Sequence, residues 1–170
     1  MIIRRLGEDD AGVLRELRLR ALRESPEAFG SSYEETVLQP PASMAQRLRA
    51  DPAAPYDFVL GAFAPALVGM VGFRREARLK TRHKGAIWGM YVAGEMQGSG
   101  VGRALLERLI ADAREQPGLE QITLYVVSSN LAARHLYASC GFTVYGVEPC
   151  ALKLDGRYLD EDLMILQLQG

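Results

Sequence analysis

Apolar residues along the chain recur with two periods, and the alternation between them predicts the order of elements. MIIRRL at residues 1–6 reads as a short first strand. Asp9 or Asp10 suits the N-cap of a helix in which Val13, Leu14, Leu17, Ala21 and Leu22 return at helical spacing. Ser25-Pro26 ends or interrupts that helix. The stretch SPEAFGSSYEETVLQPPAS (25–43) reads as loop-rich, and residues 43–50 as a second short helix. Residues 58–73 carry no charge, but Pro65 and several glycines interrupt them. The run also falls short of the roughly 20 residues a membrane span needs. It reads as two buried strands, FVLGAF and LVGMVGF, joined by a turn at Ala64-Pro65-Ala66.

Residues 74–84 break the apolar pattern with six Lys or Arg and one His in eleven positions. A solvated edge strand and turn protected by charge would look like this, and so would a patch that attracts an acidic partner. AIWGMYV (86–92) is a strand, followed by a glycine-bearing loop and a helix over 101–115 that Pro117-Gly118 stops. Residues 122–127 form another strand. A helix over 130–140 follows, closed by Gly141, and two strands flank an Asp155-Gly156 hairpin turn. The order is βαα, then βββ, then αβαββ. It predicts a single α/β domain over 1–170 with a mixed β-sheet flanked by helices. The first half of the sheet is antiparallel. The strands at 86–92 and 122–127 form a parallel central pair through a right-handed crossover.

Composition narrows the function classes. A 170-residue chain, 48% hydrophobic and 24% charged, is ordinary for a soluble globular domain. A net charge of −1 gives no global attraction to nucleic acid or to a membrane surface, so neither is expected as a partner. The N-terminus is charged by its fourth residue and lacks a signal-peptide core. Cys140 and Cys150 form no CxxC or Cys/His cluster. They read as small buried thiols in a reducing compartment, with no metal. The expectation is a cytoplasmic protein.

The chemistry starts at GEMQGSGVGRALLERL (94–109). Gly98, Ser99, Gly100, Val101 and Gly102 would offer successive N–H groups at the mouth of a helix, which favours an anion such as phosphate. The same glycines would also serve a tight strand-to-helix turn. A P-loop needs Lys and then Ser or Thr after its last glycine, but Gly102 is followed by Arg103 and Ala104. A G-x-G-x-x-G dinucleotide loop starting at Gly98 would need a third glycine at position 103, and the next strand ends in Val127-Ser128-Ser129 with no acidic residue.

Gln97-x-x-Gly100-x-Gly102 after an apolar strand resembles the acyl-CoA pyrophosphate loop of the GNAT N-acetyltransferase superfamily. After the next strand, SSNLAARHLYASCGF (128–142) resembles a second signature of that superfamily, filled by Asn130, Ala133, Leu136, Tyr137, Gly141 and Phe142. The resemblance is strong over about residues 88–145, and it implies an acetyl-CoA-dependent N-acetyltransferase in which a primary amine attacks the thioester directly in a ternary complex. Acetyl-CoA would be the cosubstrate. The acceptor would be a small-molecule amine or a protein amine, and a homodimer stays open. On the same resemblance, the backbone of Met90, Tyr91 and Val92 carries the pantetheine arm. Gln97 and the 98–102 loop hold the phosphates, and Ala133 borders the ligand. Arg103 either meets a phosphate or is a solvated first-turn residue, and Asn130 either caps its helix, bonds the pantetheine arm or does both. Tyr137 is the general acid at the thioester sulfur. Asn130 and Tyr137, seven residues apart, lie within about 20° of each other on a helix, and a small Ala133 leaves room beside them. His135 lies about 200° away. Many members carry a glutamate on the strand before the glycine loop, and AIWGMYV has none. The candidates left for the acceptor side and the general base are Glu34, Glu35 and His83. A non-catalytic acyl-CoA-binding sensor is the alternative.

Overall fold

A computed structural model describes residues 1–168. The chain forms β1 (Ile2–Arg5), α1 (Ala11–Glu24), α2 (Tyr33–Val37), α3 (Ala42–Leu48), β2 (Phe58–Phe63), β3 (Leu67–Arg75) and β4 (Lys84–Val92). It continues with α4 (Val101–Arg114), β5 (Gln121–Val127), α5 (Leu131–Ser139), β6 (Thr143–Leu154) and β7 (Arg157–Gln167). All described strands join one sheet in the order β1-β2-β3-β4-β5-β7-β6. Pairing is antiparallel from β1 to β4, parallel between β4 and β5, and antiparallel from β5 through β7 to β6. This is the mixed α/β sheet that the patterning predicts.

Gly69 and Met70 are adjacent on β3, so they face opposite sides of the sheet. A Cβ at Gly69 would meet Leu105 and Val101 of α4, whereas Met70 lines a small cavity with Leu14 of α1 and Met44 of α3. Helix α4 therefore covers one face, and α1 with α3 the other. The α4 stripe Val101, Leu105, Leu106, Leu109, Ile110 and Ala113 is buried. Truncating any one of its leucines to Ala is worth about 2–5 kcal/mol.

Four details differ from the patterning. The loop-rich stretch contains α2, which is started by a capping box: Ser32 Oγ accepts from the Glu35 N–H at 3.2 Å, and the Glu35 carboxylate accepts from the Ser32 N–H at 3.3 Å. Ser-x-x-Glu carries that signal in the sequence, but the helix lasts only five residues and has no apolar period to reinforce it. Asp10 takes the N-cap position of α1 without capping it; its carboxylate accepts from the Gly7 N–H and pairs with Arg4 at 2.7 Å. The basic run 74–84 is no edge strand, because it joins the ends of β3 and β4, each paired on both sides. Cys140 is half-buried, and Cys150 is exposed on β6 at a left-handed residue (φ 53°) inside a register irregularity. A bulged strand presents residues out of the alternation that burial would follow.

The hairpin at Asp155-Gly156 has positive φ at both turn residues, 48° and 78°, the type I′ geometry that suits the twist of β6 and β7. No helix among the described residues is long and apolar enough to cross a membrane.

Candidate active site

Strands β4 and β5 pair at only three positions: Lys84 with Gln121, Gly85 with Ile122, and Ala86 with Thr123. Both continue beyond that point, β4 to Val92 and β5 to Val127, without pairing. The register of β3 on β4 slips between Met70 and Gly72, opposite Gly89, which holds φ +64°. This bulge turns the second half of β4 away from β5. Trp88 fixes the break: its indole fills the space above Gly72, where a Cβ would lie 2.1 Å from the ring.

The divergence opens a cleft of about 100 Å³ lined by Phe29, Trp88, Gly89 and Met90 on one side and Leu124, Asn130 and Tyr137 on the other. The β5-facing backbone of β4 is free there. At its far end the Gln97 side-chain amide donates to the Val92 carbonyl at 3.0 Å.

Helix α4 starts at Gly100, in the left-handed region at φ +89°, and no side chain caps it. Gly98 also has positive φ, +76°, and a Cβ on either residue would meet nothing within 4 Å. The N–H groups of Gly98, Gly100, Val101, Gly102 and Arg103 have no backbone acceptor among the described residues. Ser99 donates its hydroxyl to the Met96 carbonyl at 2.6 Å, which fixes the loop. The result is an open concave surface of bare amides at a helix N-terminus, suited to an anion. Gly102 serves packing instead: a Cβ there would lie 3.1 Å from Leu136 and 3.3 Å from Met90. The Arg103 guanidinium lies on the surface, donating to Ser139 Oγ at 2.9 Å and pairing with Glu107.

Helix α5 is capped by its own side chain, with Asn130 Oδ1 accepting from the Ala133 N–H at 3.1 Å. Tyr137 is 6% exposed, and its ring meets Phe142 edge-on at 6.0 Å between centroids. Tyr137 lines the cleft, and burial is what acts on its phenol. Burial raises its pKa above the ordinary phenol value, so it holds its proton through neutral and mildly alkaline pH. Asp162 of β7, 3% exposed, steadies the turn into α5: Ser128 Oγ donates to its Oδ1 at 2.5 Å, and Arg134 Nε lies 2.7 Å from its Oδ2. Sequence reasoning missed Asp162, since a carboxylate in an alternating strand gives no local sign of burial.

Met90, Asn130, Ala133 and Tyr137 thus meet in one cleft. Tyr91 points elsewhere. Its hydroxyl donates to the Glu24 carboxylate, which also pairs with Arg20, and Arg20 in turn holds Glu95 through two bonds of 2.8 and 2.5 Å. The Arg20 hydrogen bonds push the Glu95 carboxyl down to about 2. Glu34 and Glu35 line a second groove of about 720 Å³ between the 26–35 segment and the β6–β7 hairpin, which shares Phe29 with the cleft; the Glu35 carboxylate serves its capping box there. His83 precedes β4 at the end where β4 and β5 are still paired, some 16 Å along the strand from Trp88 at about 3.3 Å per residue. None of these three residues lines the cleft at Tyr137 itself. No cluster of metal-ligating side chains is present among the described residues.

A second missed residue is Arg18 of α1. It is 8% exposed and sits between Leu14 and Leu22 at i, i+4 spacing on the buried stripe. An arginine on that stripe is a sequence signal that patterning by apolar residues alone passes over.

A family model described as acetyltransferase (GNAT) family matches residues 19–142. An L-amino acid N-acyltransferase of Escherichia coli is 42% identical over 79 residues, covering 46% of this chain and 45% of that protein, so the match spans less than half of the relative. Among solved structures, a GNAT-family acetyltransferase from Streptococcus pneumoniae superposes with a TM-score of 0.89 at 26% identity over 98% of both chains. A Salmonella typhimurium protein solved with its cofactor acetyl-CoA superposes with a TM-score of 0.79 at 27% identity over 100% of this chain and 95% of that one.

Proposed function

The chain belongs to the acetyltransferase (GNAT) family, and on that premise we propose that it is an acetyl-CoA-dependent N-acetyltransferase that acylates a primary amine by direct attack in a ternary complex. One observation carries the reading: β4 and β5 part after Ala86 and Thr123, and the free edge of β4 leads from the cleft at Tyr137 to the bare amides at Gly98–Arg103.

The residues fit such a ligand. The unbonded N–H groups and left-handed glycines suit a pyrophosphate, with the Gly98 and Gly100 surfaces open. The unpaired N–H and C=O groups of β4 suit the amides of a pantetheine arm, as an added strand would. Acetyl-CoA supplies the acyl group as a thioester. A β4 N–H beside Gly89 offers its carbonyl oxygen a donor, which is strongest where water is excluded.

The neutral amine forms the C–N bond as the C–S bond breaks. Tyr137 donates its phenolic proton to the departing sulfur and is reprotonated from water. No carboxylate or imidazole lines the cleft among the described residues, so the amine's proton leaves to solvent and the rate rises with pH as the acceptor loses its charge.

Thermal shift and thiol release test the reading together. CoA at about 100 times its Kd stabilises the fold by roughly 2.7 kcal/mol, while NAD and ATP do not. Acetyl-CoA with an amine panel releases free thiol. Stabilisation by CoA with no thiol release from any amine would leave a binding module.

A further inference from the structure

Arg18 is a buried cation whose partners do not balance its charge. Its Nη2 donates to Ser31 Oγ at 3.1 Å, and its guanidinium stacks 4.5 Å over the Phe29 ring. Its Nη1 is sealed from solvent and has no hydrogen-bond partner. No carboxylate forms a salt bridge with it among the described residues; the charge that acts on it is another cation, Arg47, which lies 5.7 Å over the Trp88 ring. Burial and Arg47 together pull the Arg18 pKa down to about 10, so the group is still charged at neutral pH. A buried charge and a buried donor both need a partner, and the protein supplies neither to Nη1.

The place where Nη1 points is informative. A Cβ at Gly89 would have Arg18 Nη1 as its only neighbour within 4 Å, at 3.8 Å. Gly89 is the bulge residue that opens the cleft, and Gly89 and Trp88 line both that cleft and a chamber of about 10 Å³ that Arg18 and Arg47 share. Phe29, beneath the guanidinium, lines the cleft as well. So the unpartnered donor sits against a residue that lines the cleft. The chamber has room for about one water-sized group, such as a single carboxylate oxygen. Its other walls include Leu14, Met44 and Met70, which offer no competing hydrogen bond.

We propose that Arg18, beneath the Gly89 bulge and next to Arg47, is the anion-holding group of the acceptor site, and that the acceptor is an amine carrying a carboxylate close to its amino group. Deepening the N-acetyltransferase reading, this subsite rests on it. The planar guanidinium fork matches a carboxylate, and pairing there neutralises the buried cation. It also holds the amine beside the cleft in a fixed orientation.

The test uses L-α-amino acids and ω-amino acids alongside their matched primary amides. Two readouts are taken: kcat/KM with acetyl-CoA, corrected for the neutral-amine fraction, and calorimetric binding to the CoA complex. The expected result is at least a tenfold preference for the acid over its amide in both. In Arg18→Gln, checked as folded by thermal melting, the preference falls to twofold or less. Arg18→Lys keeps part of it, because the charge remains and the fork is lost. Equal use or equal binding of acid and amide by the parent protein overturns the subsite while acetyl transfer stands. Selective binding of the acid with no turnover breaks the acetyl-transfer reading and keeps the subsite. Binding of neither across the panel overturns the subsite, as does a preference that survives Arg18→Gln.

Discussion

The two strand-to-helix junctions of this protein have the same plan and opposite endings. After β4 the chain enters α4 through Gly98 and Gly100 and leaves the first helical amides bare. After β5 it enters α5 through Asn130, whose side chain fills the helix end itself. A bare N-terminus is an anion site, whereas a capped one is a rigid mount. On the proposed function, the first junction receives a pyrophosphate and the second holds Tyr137 still. Behind the second junction, Asp162 accepts from Ser128 Oγ and lies in ion-pair range of Arg134.

The contrast breaks most sharply at Tyr137. Tyr137→Phe keeps the ring packed against Phe142 and removes only the hydroxyl, so the melting temperature should hold. Turnover should fall about 10- to 10³-fold, as expected when a positioned acid is lost. Affinity for acetyl-CoA should change by less than about tenfold. Because burial raises the Tyr137 pKa, the parent's kcat should show no descending limb below about pH 10, the ordinary phenol value. The acid form is fully present below that value and is lost only as pH rises through the higher, folded one. Turnover within twofold of the parent at saturating substrates would remove Tyr137 from the chemistry.

The next largest effect belongs to the bare junction. Gly100→Ala places a side chain on a left-handed residue in open space. Stability should drop by about 1–2 kcal/mol from the backbone strain alone, and CoA affinity should drop at least tenfold. Calorimetry showing lost stability with unchanged CoA affinity would reduce the glycines to a turn.

The smallest effect tests the capped junction. Asn130→Ala removes the acceptor for the Ala133 N–H and should cost about 1 kcal/mol. That is a melting shift of roughly 2–4 °C. Asn130→Gly should recover most of the loss. CoA affinity should fall far less than in Gly100→Ala; an equal fall would mean that the two junctions do not divide the work in this way.

Much of this contrast was legible in the sequence. Glycine, serine and glycine before an amphipathic run announce an uncapped helix mouth, and Asn130 announces a capped one. The seven-residue spacing of Asn130 and Tyr137 places both on one helix face, and both line the cleft. What stayed hidden is instructive. Tyr91 looks like its neighbours Met90 and Val92 on an apolar strand, yet its hydroxyl reaches Glu24, 67 positions earlier. His83 adjoins the right strand but lies at its paired end, and Glu35 is taken up by a capping box.

The sequence by itself determined the elements and the two junctions, because caps, left-handed glycines and helical faces are set by residues within a turn or two of one another. Only the tertiary structure decided where β4 leaves β5, because that depends on the register of β3 against β4 and on the Trp88 ring filling the space above Gly72. It alone decided that Arg18 is a buried cation facing Gly89, since burial and an absent counter-charge belong to everything packed around a side chain, and α1 meets β4 only across some 70 residues of chain.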